Sequence, residues 1–188
     1  MNNITDIQKN YYNSIVSLWG RIDWNVVEFL SDDLFKAWNS NSKIFLCGNG
    51  GSASNANHLA NDLLYGISSN NGKGLKVHSL TANVAVNTCL ANDRGYENIF
   101  SDQLNTLADK NDILIVFSGS GNSPNVVEAI RKANAIGMKT HAILGFDGGK
   151  CKELACNAIH IPIDNMQVAE DFQMIIGHIL MLYLKGRN

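Results

Sequence analysis

His58 and Asp62 stand four residues apart in SASNANHLANDLL, so on a helix they project from one face about a turn from each other. Glu170 and His178 lie in a stretch otherwise rich in Ile, Leu and Met, where a charge without a partner is costly to bury. Two histidines and two carboxylates can form a tetrahedral zinc set or a metal-free acid/base set, and their spacing matches no dedicated zinc motif, so both chemistries stay open. An isolated His/Asp pair beside Leu59, Leu63 and Leu64 also reads as the polar edge of an amphipathic helix. Glu170 and His178 are eight residues apart, about 12 Å of helical rise with an offset near 80°. One straight helix does not readily bring both to one small ligand, and one of them is expected to complete a neighbouring subunit's site. His78, His141 and His160 alternate with strand residues and are expected to be ordinary sheet histidines.

Two loops are shaped for an anion. GNGGSASNANH, residues 48–58, and SGSGNSPNVVEAI, residues 118–130, each follow an apolar run and lead into a helical pattern. Glycine lets the backbone approach an anion, while hydroxyls and the free N–H groups of the following helix supply donors. In the second loop Ser123 stands at an N-cap, Pro124 suits the first helical position, and Ser118, Ser120 and Ser123 fall within one tight turn. These three serines are assigned to a phosphate; a plain strand-to-helix connection is the alternative. Neither loop has P-loop or clean GxGxxG spacing, so no nucleotide cofactor is expected.

The elements that must position these groups follow a βαβ rhythm: IFLC at 44–47, LKVHSL at 75–80, ILIVF at 113–117, THAIL at 140–144 and AIHIPI at 158–163. The run at 113–117 is apolar at every residue, as a strand covered on both faces must be. The expected fold is a three-layer αβα sandwich with a mostly parallel five-stranded sheet, forming one domain over 1–188. Helices at about 5–20 and 23–41 precede the α/β core, and a long apolar helix from Val168 to Leu184 ends it. That last helix needs cover on several sides, which suggests a subunit contact.

The net charge of -2, from 15 basic and 17 acidic residues, offers no reason to expect a nucleic acid or an anionic membrane as partner. No apolar stretch has the length of a membrane span and MNNITDIQKN has no signal-peptide character, so a cytoplasmic protein is expected. Cys47, Cys89, Cys151 and Cys156 form no CxxC pair and are expected to be reduced, with Cys47 and Cys89 acting as small buried hydrophobes.

FLCGNGGSASNANHLANDLL, CLANDRGYENIFSDQL, VFSGSGNSPNVVEAI, LGFDGGKCKELA and EDFQMIIGHIL occur in that order between about Ile44 and Leu184. In these motifs the chain resembles the SIS (sugar isomerase) family, and within it the sedoheptulose 7-phosphate isomerases. The resemblance implies aldose-ketose isomerisation yielding D-glycero-D-manno-heptose 7-phosphate for surface-polysaccharide heptose, by a homotetramer. It places substrate-binding positions on Asn49, Gly50, Gly51, Asn92, Asp93, Ser118, Gly119, Ser120 and Ser123. Metal-binding and catalytic positions fall on His58, Asp62, Glu170 and His178, with Asp62, Glu170 and His178 as the catalytic set and a zinc ion as the implied cofactor. Asp62 stands where the family has glutamate, Glu170 where it has glutamine, and Gly119 where it usually has threonine. An isomerase of another sugar phosphate and a non-catalytic SIS protein binding a sugar phosphate or a protein partner are the alternatives; retention of His58, an acid at 62 and His178 favours an enzyme.

Overall fold

The computed structural model describes residues 3–68 and 72–187. Among these residues five strands form one parallel sheet: β1 (Lys43–Cys47), β2 (Lys76–Ser79), β3 (Ile113–Ser118), β4 (Lys139–Leu144) and β5 (Asn157–His160), in the order β2-β1-β3-β4-β5. Every residue of β3 is buried, because it lies at the centre of the sheet between two helical layers. Alternation along each strand sends Ile44, Leu46, Ile113, Ile115, Phe117 and Ile143 into one core. Phe45, Cys47, Leu114, Val116, Ala142 and Leu144 go into the other.

Helices α1 (Ile4–Leu18), α2 (Trp24–Ser40), α3 (Gly50–Asn61) and α8 (Met166–Lys185) supply the first core, with Leu18, Leu30, Leu34, Leu59, Phe172 and Ile176 fully buried. The opposite face is covered mainly by α5 (Ser101–Leu107), α6 (Pro124–Ile136) and α7 (Gly149–Leu154). Helix α4 (Val84–Arg94) has no buried residue and overhangs a largely apolar groove of about 1020 Å³. Cys89, expected to be buried, is therefore exposed on α4, whereas Cys47 is buried in β1. All four cysteines are free.

The strand expected at 158–163 stops at His160, two residues before Pro162, which has no N–H to continue a ladder. His141 on β4 is a sheet histidine with a partner: its Nε2 lies 3.2 Å from Asp33 Oδ2 on α2, and Lys139 Nζ also pairs with Asp33. This cluster ties α2 to the sheet. No helix among the described residues is long and apolar enough to cross a membrane.

The sheet order positions the site. From β1 the chain moves outward to β2, then crosses to β3 on the other side of β1. The loops after β1 and β3 therefore diverge at the carboxyl edge of neighbouring strands, where open α/β sheets form their ligand crevices.

Candidate active site

Both Gly/Ser loops open into one cleft of about 270 Å³, lined by Asn49, Gly50, Gly51 and Ser52 from the first loop, and by Ser118, Gly119, Ser120 and Ser123 from the second; Glu170 and Met166 of α8 form a wall. Ser118 Oγ accepts the Gly121 N–H at 3.0 Å and Ser120 Oγ accepts the Asn122 N–H at 3.2 Å. Each hydroxyl hydrogen is thereby left to donate to a ligand oxygen. Ser123 holds the N-cap position of α6, but its side chain makes no capping bond, so its hydroxyl too is available to the cleft. At Gly119 a Cβ would run into the Met166 thioether, which gives a structural reason for glycine there: the side chain of α8 fills that space.

Helices α3 and α8 lie against each other in register from this cleft onward. A Cβ at Gly51 would stand 2.5 Å from Glu170 Cδ, so the Glu170 carboxylate rests directly on the first turn of α3. Asn55 Nδ2 donates to the Glu170 carbonyl and to Gln173 Oε1, both at 2.9 Å, and Ser52 Oγ donates to Gln173 Oε1 at 3.1 Å. Further along, Leu59 meets Gly177 and His58 meets His178. The carboxylate next to Glu170 turns the other way: Asp171 Oδ2 accepts the Tyr11 hydroxyl of α1 at 2.5 Å, and burial together with Asp171 pushes the Tyr11 phenol up to about 12. Glu170 alone of the pair faces the cleft.

Down the seam, three side chains converge. His58 Nε2 and His178 Nε2 are 3.3 Å apart, and Asp62 Oδ2 lies 3.5 Å from the first and 3.6 Å from the second. Asp62 is the last turn's contribution from α3, which widens there into a π-helical turn over Asp62–Gly66, with Ile67 N–H bonded to the Asp62 carbonyl. Asp62 is buried and its Oδ2 has no hydrogen-bond partner, an expensive state for a carboxylate oxygen. The two imidazoles are about half exposed, at 52% and 47%.

This donor set fits a zinc ion. Ligands at ~2.0–2.1 Å in tetrahedral array stand about 3.3 Å from one another, close to the three observed edges, and two imidazoles with one carboxylate leave a position open. A metal ion held there would give the orphaned Oδ2 a partner.

Of the residues singled out from the sequence, the structure brings together His58, Asp62 and His178 at one end of the seam, and Asn49 to Gly51, the serine loop and Glu170 at the other. Glu170, expected among the metal ligands, stands apart from the cluster because two helical turns separate it from His178. His178 meets partners from its own chain. Asn92 and Asp93 lie on exposed α4, bonded to each other at 2.7 Å, and do not line the cleft. Asn125 and Tyr96, which sequence reasoning passed over, both bond to Asn49. The available signal was a polar side chain directly after Pro124 at the start of an otherwise apolar helix face.

A parallel sheet with its ligand loops at the crossover is the architecture of a sugar-isomerase domain, and the SIS domain family model matches residues 10–145. Within that class, the chain belongs to the phosphoheptose isomerase family. It is 45% identical over 138 residues to the phosphoheptose isomerase of Helicobacter pylori strain HPAG1, covering 73% of this chain and 71% of that one. It is 36% identical over 179 residues to that of Akkermansia muciniphila, covering 95% and 91%. The solved phosphoheptose isomerase of Neisseria gonorrhoeae superposes with a TM-score of 0.89 over 98% of this chain and all of the other, at 24% identity, and shares the fold.

Proposed function

We propose that the chain interconverts sedoheptulose 7-phosphate and D-glycero-D-manno-heptose 7-phosphate in the cytosol, supplying heptose for surface polysaccharide. Family membership supports the reaction class, and the α3–α8 seam carries the assignment of residues: an anion cleft at one end and a His/Asp/His cluster at the other. About 12 Å of helical rise separates Glu170 from His178. An open-chain seven-carbon phosphate ester suits a site of that length, with its phosphate in the serine loop and its carbonyl carbons toward the cluster.

Ser118, Ser120 and Ser123 donate to the phosphate, while Asn49 and the amides of Gly50 and Gly51 hold sugar oxygens. His58, Asp62 and His178 would hold the zinc ion, which supplies polarisation of the substrate carbonyl. Glu170 removes the proton from the carbon beside that carbonyl and returns it to the former carbonyl carbon, while the hydroxyl proton on the first carbon passes to the former carbonyl oxygen, which moves the C=O one carbon along. Its resting place against Gly51 lies in the anion cleft, so a bound phosphate repels it toward the seam.

A homotetramer completes the reading. Ile4, Ile7, Tyr12 and Val16 are exposed along α1, and α4 has no buried residue, so both present apolar faces that another copy would cover. Asn92 and Asp93 on α4 would then serve a neighbouring copy's cleft.

The test is a length series of ketose phosphates with purified protein. The highest kcat/KM is expected for sedoheptulose 7-phosphate, with five-carbon and six-carbon analogues binding through the phosphate but turning over poorly. Equal kcat/KM across the series would overturn the assignment of the two ends.

A further inference from the structure

Asn49 occupies the N-cap position of α3, where an asparagine ordinarily accepts a hydrogen bond from the second or third helical N–H. It makes no such bond. The other Asn and Asp N-caps of the longer helices all do so: Asn3 accepts from Thr5, Asp23 from Asn25, Asn83 from Val86 and Asn165 from Val168. The difference lies in what holds the side chain. Asn49 Nδ2 donates to Asn125 Oδ1 at 2.8 Å, and Asn49 Oδ1 accepts from Asn125 Nδ2 at 2.8 Å and from the Tyr96 hydroxyl at 2.9 Å. Both lone-pair positions of Oδ1, the atom that would cap the helix, are thereby occupied. Asn125 is fully buried in the first turn of α6, so its amide depends on this reciprocal pair. Among the described residues the N–H groups of Gly50, Gly51 and Ser52 have no partner.

We propose that Asn125 and Tyr96 are positioning residues that hold the Asn49 carboxamide away from the first turn of α3, so that its amides remain free for substrate oxygens. This role rests on the cleft's binding a sugar phosphate. The two residues also join three chain segments that the sheet crossover brings together: the loop after β1, the start of α6 and the short turn Tyr96–Asn98 after α4. Without the clamp, Asn49 swings onto Gly51 or Ser52 as a conventional cap and closes the site with a side chain the protein already carries.

Amide hydrogen exchange of the ligand-free protein reads this directly, and it does so whether or not the protein turns over a sugar phosphate. In Asn125→Ala, protection of the Gly51 or Ser52 amide is expected to rise several-fold as Asn49 caps the helix. Adding Asn49→Gly, which removes the capping oxygen, returns protection to the parent level. With sedoheptulose 7-phosphate as probe, Asn125→Ala raises KM several-fold more than it lowers kcat. Unchanged or weaker protection of both amides in folded Asn125→Ala would overturn the proposal and leave Asn125 a structural staple. Should that variant fail to fold, Tyr96→Phe removes one of the two donors to Oδ1 without changing the core, and must raise protection in the same direction by a smaller factor. No rise there would refute the clamp equally.

Discussion

Glu170→Gln should tighten anion binding and abolish most turnover in one substitution. In the resting protein the Glu170 carboxylate lies in the cleft that Ser118, Ser120 and Ser123 line, against the first turn of α3. Two like unit charges about 4 Å apart repel by ~4 kcal/mol at an effective dielectric of 20 and by ~1 kcal/mol in bulk water. Glu170 is part-exposed, which puts the repulsion of a bound phosphate toward the lower figure, about 1–2 kcal/mol. Neutralising the side chain while keeping its shape should therefore tighten binding of sedoheptulose 7-phosphate by roughly 5- to 30-fold. Removing the base should lower kcat by ~100- to 10,000-fold, so kcat and KM fall together. Titration calorimetry with the sugar phosphate and initial-rate kinetics measure the two effects separately. Weaker binding with kcat preserved would refute both the resting position of the carboxylate and its role as base.

Further outcomes follow from the same geometry. Ser120→Ala with Ser123→Ala should raise KM by at least 10-fold with a smaller change in kcat, since each lost bond to a charged oxygen contributes ~1.5–3 kcal/mol; unchanged affinity by calorimetry would remove the serine loop from the site. Asp62→Asn should lower zinc affinity by 10-fold or more, read by competition with a chromophoric chelator, because it replaces the one charged donor of the three at the cluster with a neutral amide oxygen. Asp33 links stability to pH. A hydrogen bond from His141, joined by Lys139 and opposed by burial, holds its carboxyl at about 2 against an ordinary 3.8. A lowered folded value means the contribution is complete above pH 3.8 and disappears as pH falls toward 2. Asp33→Asn should cost about 1–2 kcal/mol by urea unfolding at neutral pH, and the gap to the parent should close through that acid window; a gap independent of pH would contradict the link.

The layers of the fold were legible because burial leaves a plain mark. ILIVF at 113–117, apolar at every residue, favoured a strand covered on both faces, and β3 is that strand. The two Gly/Ser loops were legible for a related reason: close backbone approach and free helix amides need glycine and small hydroxyl residues, wherever the loops sit in the fold. Strand order was not legible, since a βαβ rhythm does not say on which side each new strand adds. The meeting of the loops after β1 and β3 depends on that order. His58 and Asp62 were visible as a helical pair, but the meeting with His178 required the register of α3 against α8, set by Asn55, Leu59 and Gly177. Cys89 misled because small and apolar neighbours usually mean burial, while α4 leaves that face without cover in one chain. Asn125 offered only a polar side chain directly after Pro124, and Tyr96 carried no pattern at all. Their partner, Asn49, is 76 and 47 residues away.

The central claim, that the seam between α3 and α8 carries out aldose-ketose isomerisation with the carbonyl at the His58, Asp62 and His178 cluster, is tested by one measurement. Purified protein is incubated with sedoheptulose 7-phosphate after chelator treatment and again after zinc is restored, and D-glycero-D-manno-heptose 7-phosphate is followed by ³¹P and ¹H NMR in D₂O. The expected result is product formation with solvent deuterium at the carbon beside the carbonyl, slow in the chelated sample and restored by zinc. No conversion with zinc present, in a protein that still binds the sugar phosphate, would contradict the claim and leave a sugar-phosphate binding protein in place of an enzyme.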